Sequence, residues 1–141
     1  MKIAAVALLV LANLCAAQDA KRPKITAIDH VDFYTTNAAK NDQLYGGVLG
    51  LAHAKPVEPG QTMRYLVGSS QWVGYSQAPD ASVKNRMDHV ALTTDDAEAM
   101  KAYLAGKGVK VPQSLTKSAD GSKSFSVRDP ENYTIEFVQR S

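Results

Sequence analysis

Between residues 28 and 34, polar side chains at His30, Asp32 and Tyr34 alternate with Val31 and Phe33, a period of two that predicts a strand. Asn37 then offers an N-cap for a short helix reaching Val48, with Leu44, Tyr45 and Val48 as its apolar stripe. Gly46 and Gly47 weaken that helix and Gly50 stops it. Strands are expected at 51–55, 62–67 and 71–76, separated by Pro59-Gly60 and by Gly68-Ser69-Ser70. After a stretch containing Pro79 the same order begins again. A strand at 87–94 leads to a helix at 95–107, with Ala97, Met100 and Leu104 at helical spacing and Asp95 with Glu98 placed as a capping box. Strands near 109–115, 123–127 and 133–139 complete the set, the last entered through the turn Asp129-Pro130-Glu131-Asn132.

The halves repeat in residues as well as in pattern. Ile28-Asp29-His30-Val31 returns as Met87-Asp88-His89-Val90, and the interval from Tyr45 to Gly50 returns from Tyr103 to Gly108. The economical reading is an α+β fold of two βαβββ modules at 26–76 and 87–139, joined by a linker at 77–86 within one domain at 26–140. One helix covers only one face of a four-stranded unit, so the uncovered faces must look into a shared cleft. Val31, Phe33, Val90 and Leu92 belong under the helices, which turns His30, Asp32, Tyr34 and His89 toward the cleft. On the last strand Ile135 and Phe137 pack inward and Glu136 faces the cleft.

Two imidazoles and a carboxylate converging from three strands would form a 2-His-1-carboxylate set suited to Fe(II), Mn(II) or Zn(II). No local spacing such as His-Glu-x-x-His supports it, so hydrogen-bonded core or surface histidines are the competing reading. Arg64 either reaches the cleft to hold a substrate carboxylate or lies exposed on its strand. Trp72 either stacks on a planar ligand or packs in the core. Tyr34 is a further substrate-binding candidate, and Asp32, near a strand end, is expected to be solvated. His53 has no counterpart in the other half and reads as non-ligating, while Arg128 and Asp129 shape a turn.

Composition narrows the classes. In 141 residues, 45% apolar and 21% charged, the chain is an ordinary globular domain large enough to need no disulfide or structural metal. Lys2, the apolar run 3–12 and the small residues Cys15-Ala16-Ala17 read as a signal peptide at 1–17, followed by a mobile lead-in at 18–25. A lipidated Cys15 is the rival, disfavoured by bulky Leu14. Cleavage after Ala17 removes the only cysteine, and with it any thiolate chemistry. Fifteen basic side chains then face fourteen acidic ones, a net charge of +1 with no basic stripe for nucleic acid. Nor does any later apolar run reach membrane-spanning length, so the mature protein is expected to be secreted or periplasmic.

In the order and doubling of its pieces the chain resembles the vicinal oxygen chelate superfamily, which comprises glyoxalases, bleomycin-resistance proteins and extradiol dioxygenases. The carriers are the two Asp-His strands, Leu44-Tyr45 with Leu49-Gly50-Leu51, Asp96-Ala97-Glu98-Ala99-Met100, and Val127-Arg128-Asp129-Pro130 leading to Ile135-Glu136-Phe137-Val138. The resemblance implies a half-open barrel with metal ligands on the first and last strand of each module: His30, His89 and Glu136, with Gly74 at the fourth position, where no ligand is possible. It thereby implies an extradiol-like three-ligand set and counts against the four-ligand glyoxalase and epimerase activities. It further implies a divalent metal, a small substrate bound through neighbouring oxygens in a dioxygenase-like or lyase/isomerase-like reaction, and a homodimer. The alternative is a metal-free protein that sequesters a small molecule.

Overall fold

The computed structural model describes residues 20–55 and 63–141, so the signal-peptide reading lies outside the described residues. One mixed sheet of eight strands carries the fold. The first module contributes β1 (Ile25–Thr35), β2 (His53–Ala54), β3 (Met63–Val67) and β4 (Gln71–Gln77). The second contributes β5 (Met87–Thr94), β6 (Thr116–Lys117), β7 (Lys123–Arg128) and β8 (Thr134–Gln139). Their spatial order is β2-β3-β4-β1-β5-β8-β7-β6. Each module's first strand pairs in parallel with its own last strand, and the two first strands pair antiparallel at the centre. The paired βαβββ architecture expected from the repeat is the one observed. Among the described residues, no helix is long and apolar enough to cross a membrane.

The helices show what the repeat left unspecified. Helix α1 (Ala38–Asp42) starts at Asn37, whose side chain accepts the Lys40 N–H at 3.1 Å. It then widens into a π-helical turn at Gln43–Val48, where Gly46 and Gly47 stand. A side chain at Gly46 would press on His53, its Cβ lying 3.0 Å from Nε2, so glycine lets the turn approach β2. Asp42 completes the joint by accepting from Tyr65 and pairing with His53. His53 is thus a local tie, away from the cleft.

Helix α2 (Ala97–Gly106) is capped by Asp96, one residue later than expected, because Asp95 accepts the Lys24 N–H instead. Its end is a Schellman turn: Val109 N–H donates to Leu104 C=O, Gly108 N–H to Ala105 C=O, and Gly108 adopts φ +82°. Ala97 and Met100 pack on Phe125, Val127 and Phe137 of β7 and β8. The strand expected at 109–115 is absent. Pro112 has no N–H to donate to a ladder, so Val109, Val111 and Leu115 pack on the core without pairing, and the short strand β6 follows them.

Candidate metal centre

β1, β5 and β8 lie side by side, with His30 opposite Ala91 and Ala91 opposite Glu136. This register brings three expected ligands from three strands to one point. His30 Nε2 and His89 Nε2 are 2.9 Å apart, and Glu136 Oε2 is 3.5 Å from the first and 3.4 Å from the second. Two donors each about 2.1 Å from one ion, at angles near 90–110°, stand about 3.0–3.4 Å apart, so the spacing fits a single divalent cation.

Two bulges arrange the supporting carboxylates. Between Ile28 and His30 β1 advances two residues while β5 advances one, so Asp29 is the extra residue; Asp88 is its equivalent on β5. Asp29 consequently reaches Nδ1 of His30 at 2.7 Å and Asp88 reaches Nδ1 of His89 at 3.3 Å. With Nδ1–H donated to a carboxylate, each ring turns its Nε2 lone pair to the same space, as metal-ligating histidines do. Arg140 holds Asp29 through two hydrogen bonds, from Nε at 2.8 Å and from Nη2, while Tyr34 donates to Asp88 at 2.6 Å. The sequence signal for these partners was the Asp preceding each His in the repeat.

Charge around the histidines favours a cation. Burial opposes a proton on His89, but hydrogen bonds to Asp88 and Glu136 and the nearby Asp32 raise its pKa to about 10. Burial also opposes charge on Glu136, yet bonds to His89 and Ser124 hold it below the usual carboxylate range. Asp32 is not solvated. It is 3% exposed, its Oδ2 lies 3.9 Å from His89 Nε2, its Oδ1 has no hydrogen-bond partner, and burial raises its pKa. It offers an oxygen that lies, with ligand atoms of His30 and His89, in a group no more than 4.8 Å across. The donor types and the spacing fit a divalent ion.

Above the histidines is a cavity of about 190 Å³. Ser124 and Ser126 alternate along β7 and, with Ser122 just before it, line one wall, opposite the side of the strand that carries Phe125 and Val127. Arg64, Trp72 and Arg140 line another. Arg64 is buried, which removes the exposed-strand alternative. Trp72 stacks on His30 with ring centroids 4.3 Å apart, and the Arg64 and Arg140 guanidinium carbons stand 4.5 and 4.7 Å from its centroid. Tyr34 is not brought to this cavity. It lines a separate depression with Phe33, Tyr45 and Tyr75 and acts on the centre only through Asp88.

The sequence pattern of the Glyoxalase/Bleomycin resistance protein/Dioxygenase superfamily matches residues 27–137, and the chain belongs to that superfamily. Among solved structures it is similar to a methylmalonyl-CoA epimerase variant of Streptomyces coelicolor in complex with 2-nitronate-propionyl-CoA. That likeness has a TM-score of 0.66 and 18% identity, over 84% of this chain and 99% of the other. The methylmalonyl-CoA epimerase of Mycobacterium tuberculosis gives 0.66 and 18% over 83% and 89%. A hypothetical protein of Bacillus halodurans C-125 gives 0.64 and 14% over 82% and 94%. At such identities these likenesses establish the fold alone. No curated protein matches the sequence.

Proposed function

We propose that this protein is a metal-dependent enzyme in which His30, His89 and Glu136 hold a divalent ion that takes two neighbouring oxygens of a small substrate. The observation that carries this is the meeting of two Nε2 atoms and one carboxylate oxygen within 2.9–3.5 Å. A bound ion supplies a Lewis acid that stabilises negative charge as a proton leaves the carbon beside a carbonyl. Asp29 and Asp88 fix the rings, and Ser124 steadies Glu136. The cavity is smaller than the roughly 300–1,000 Å³ that encloses drug-sized ligands, so it suits a small molecule or the reacting end of a larger one. Its serine wall favours an oxygen-rich ligand. We take the lyase/isomerase form before the dioxygenase form because the Streptomyces coelicolor epimerase of the same fold is solved with a coenzyme A derivative.

The test is proton exchange in D₂O. Protein loaded with Mn(II) or Zn(II) is expected to wash deuterium into the carbon beside the carbonyl of hydroxyacetone, pyruvate or a methylmalonyl thioester, followed by NMR. Oxygen uptake on catechol would instead establish the dioxygenase form. Tight binding of a small molecule with neither reaction would establish sequestration. One observation favours that second reading: Arg64 and Arg140 border the same cavity as His30 and His89, a basic lining suited to an anionic ligand. We also propose, on the sequence of residues 1–17, that the chain is exported and begins at Gln18 once cleaved. The intact mass of protein from an exporting host tests this, and a mass retaining lipidated Cys15 would refute it.

A further inference from the structure

Gly74 of β4 and Asp32 of β1 stand opposite each other in register. A Cβ on Gly74 would collide with Asp32 Oδ1 and lie 2.8 Å from its Cγ. The backbone there is not left-handed, so the need for glycine is one of space: the volume a side chain would occupy is taken by the Asp32 carboxylate. That carboxylate is 3% exposed, has an orphaned Oδ1 and offers an oxygen within reach of both imidazoles. Removing a carboxylate from water costs several kcal/mol unless a cation or donors compensate it. The oxygen on the histidine side is Oδ2, 3.9 Å from His89 Nε2, and that is where such a cation has room.

We infer that Asp32 supplies from β1 the carboxylate that Gly74 cannot supply from β4, making it a fourth protein donor to the ion held by His30, His89 and Glu136. This rests on the metal-binding reading above. Two carboxylates would balance a divalent charge, and a six-coordinate ion held by these four side chains would have two positions left for the neighbouring oxygens of a substrate. The donor count returns to the four whose loss at Gly74 had argued against lyase and isomerase chemistry. The departure at Gly74 and the burial of Asp32 become one feature, a ligand moved to the adjacent strand.

Chelator competition with Mn(II) or Zn(II) on the whole mature chain tests this without reference to turnover. Asp32→Asn, which keeps the volume, is expected to weaken binding by more than about tenfold. Gly74→Ala should weaken it as well by displacing Asp32, yet add no further loss to Asp32→Ala. The double variant Asp32→Gly/Gly74→Glu should regain most of the affinity by returning the carboxylate to β4, with circular dichroism confirming the fold of each. Unchanged affinity in Asp32→Asn beside a large loss in His89→Ala would overturn the assignment of Asp32 and leave the metal reading standing. Unchanged affinity in His89→Ala would overturn both.

Discussion

Replacing Arg140 by alanine removes the group that fastens Asp29, and through it His30, to the end of the chain. Burial raises the Asp29 pKa, but hydrogen bonds from His30 and Arg140 outweigh it and draw the carboxyl from 3.8 to about 2. A depression of that size is worth about 2 kcal/mol. Breaking a buried ion pair typically costs about 3–5 kcal/mol, but the Arg140 side chain is 35% exposed and solvent screens part of the loss. The expected destabilisation at pH 7 is therefore about 2 kcal/mol, a fall in Tm of roughly 5–10 °C for a domain of this size. Urea unfolding of wild type and Arg140→Ala from pH 7 to pH 3 measures it. Because the folded-state pKa of Asp29 is depressed, its stabilisation is present above 3.8 and is lost as pH falls toward about 2. Without Arg140 the carboxyl titrates at a higher pH, so the gap between the proteins should narrow below about pH 4. Equal stability at pH 7, or a gap constant down to pH 3, would mean that Arg140 does not hold the Asp29 carboxylate.

Tyr34→Phe removes the donor to Asp88 and should cost about 1 kcal/mol in urea unfolding, with only a few-fold loss of metal affinity. In wild type that bond to Asp88, with burial, raises the Tyr34 pKa to about 12, so Tyr34→Phe should leave the phenolate absorbance unchanged until well above pH 10. Met100→Ala leaves a void among Ala97, Phe125, Val127 and Phe137 and should destabilise by about 2–5 kcal/mol, read from the same unfolding curves. With the His89 pKa raised to about 10, an ion must displace one proton at neutral pH. Chelator competition should then show affinity rising about tenfold per pH unit between pH 7 and 9. A flat profile would mean that His89 carries no proton in the free protein. In the metal-free protein the stability due to that proton is full below 6.5 and lost as pH rises through about 10.

The repeated Asp-His strands made the paired modules legible, because strand period and repeat distance are local properties of a chain. The meeting of His30, His89 and Glu136 followed from alternation, which survives wherever the register is regular. What alternation could not show was irregularity. The bulges at Asp29 and Asp88 place consecutive residues where they can touch, and a strict period of two turns them apart. Asp32 looked solvated because its burial depends on Gly74, some forty residues away, lacking a side chain. The helix starts at Asp96 because Asp95 has a partner at Lys24, in the segment before the first module, a long-range contact invisible to a capping pattern. Pro112 was a visible warning against the strand at 109–115 that the apolar pattern there overrode.

If His30, His89 and Glu136 act together on one ion, a calorimetric titration of Mn(II) or Zn(II) into mature protein shows it. One ion per chain is expected in wild type, with each alanine substitution weakening binding by more than about tenfold. The double substitution His30→Ala/His89→Ala should cost far less than the sum of the two, because the site is already broken after the first. The same affinity in wild type and in His89→Ala would mean that the three residues share no ion.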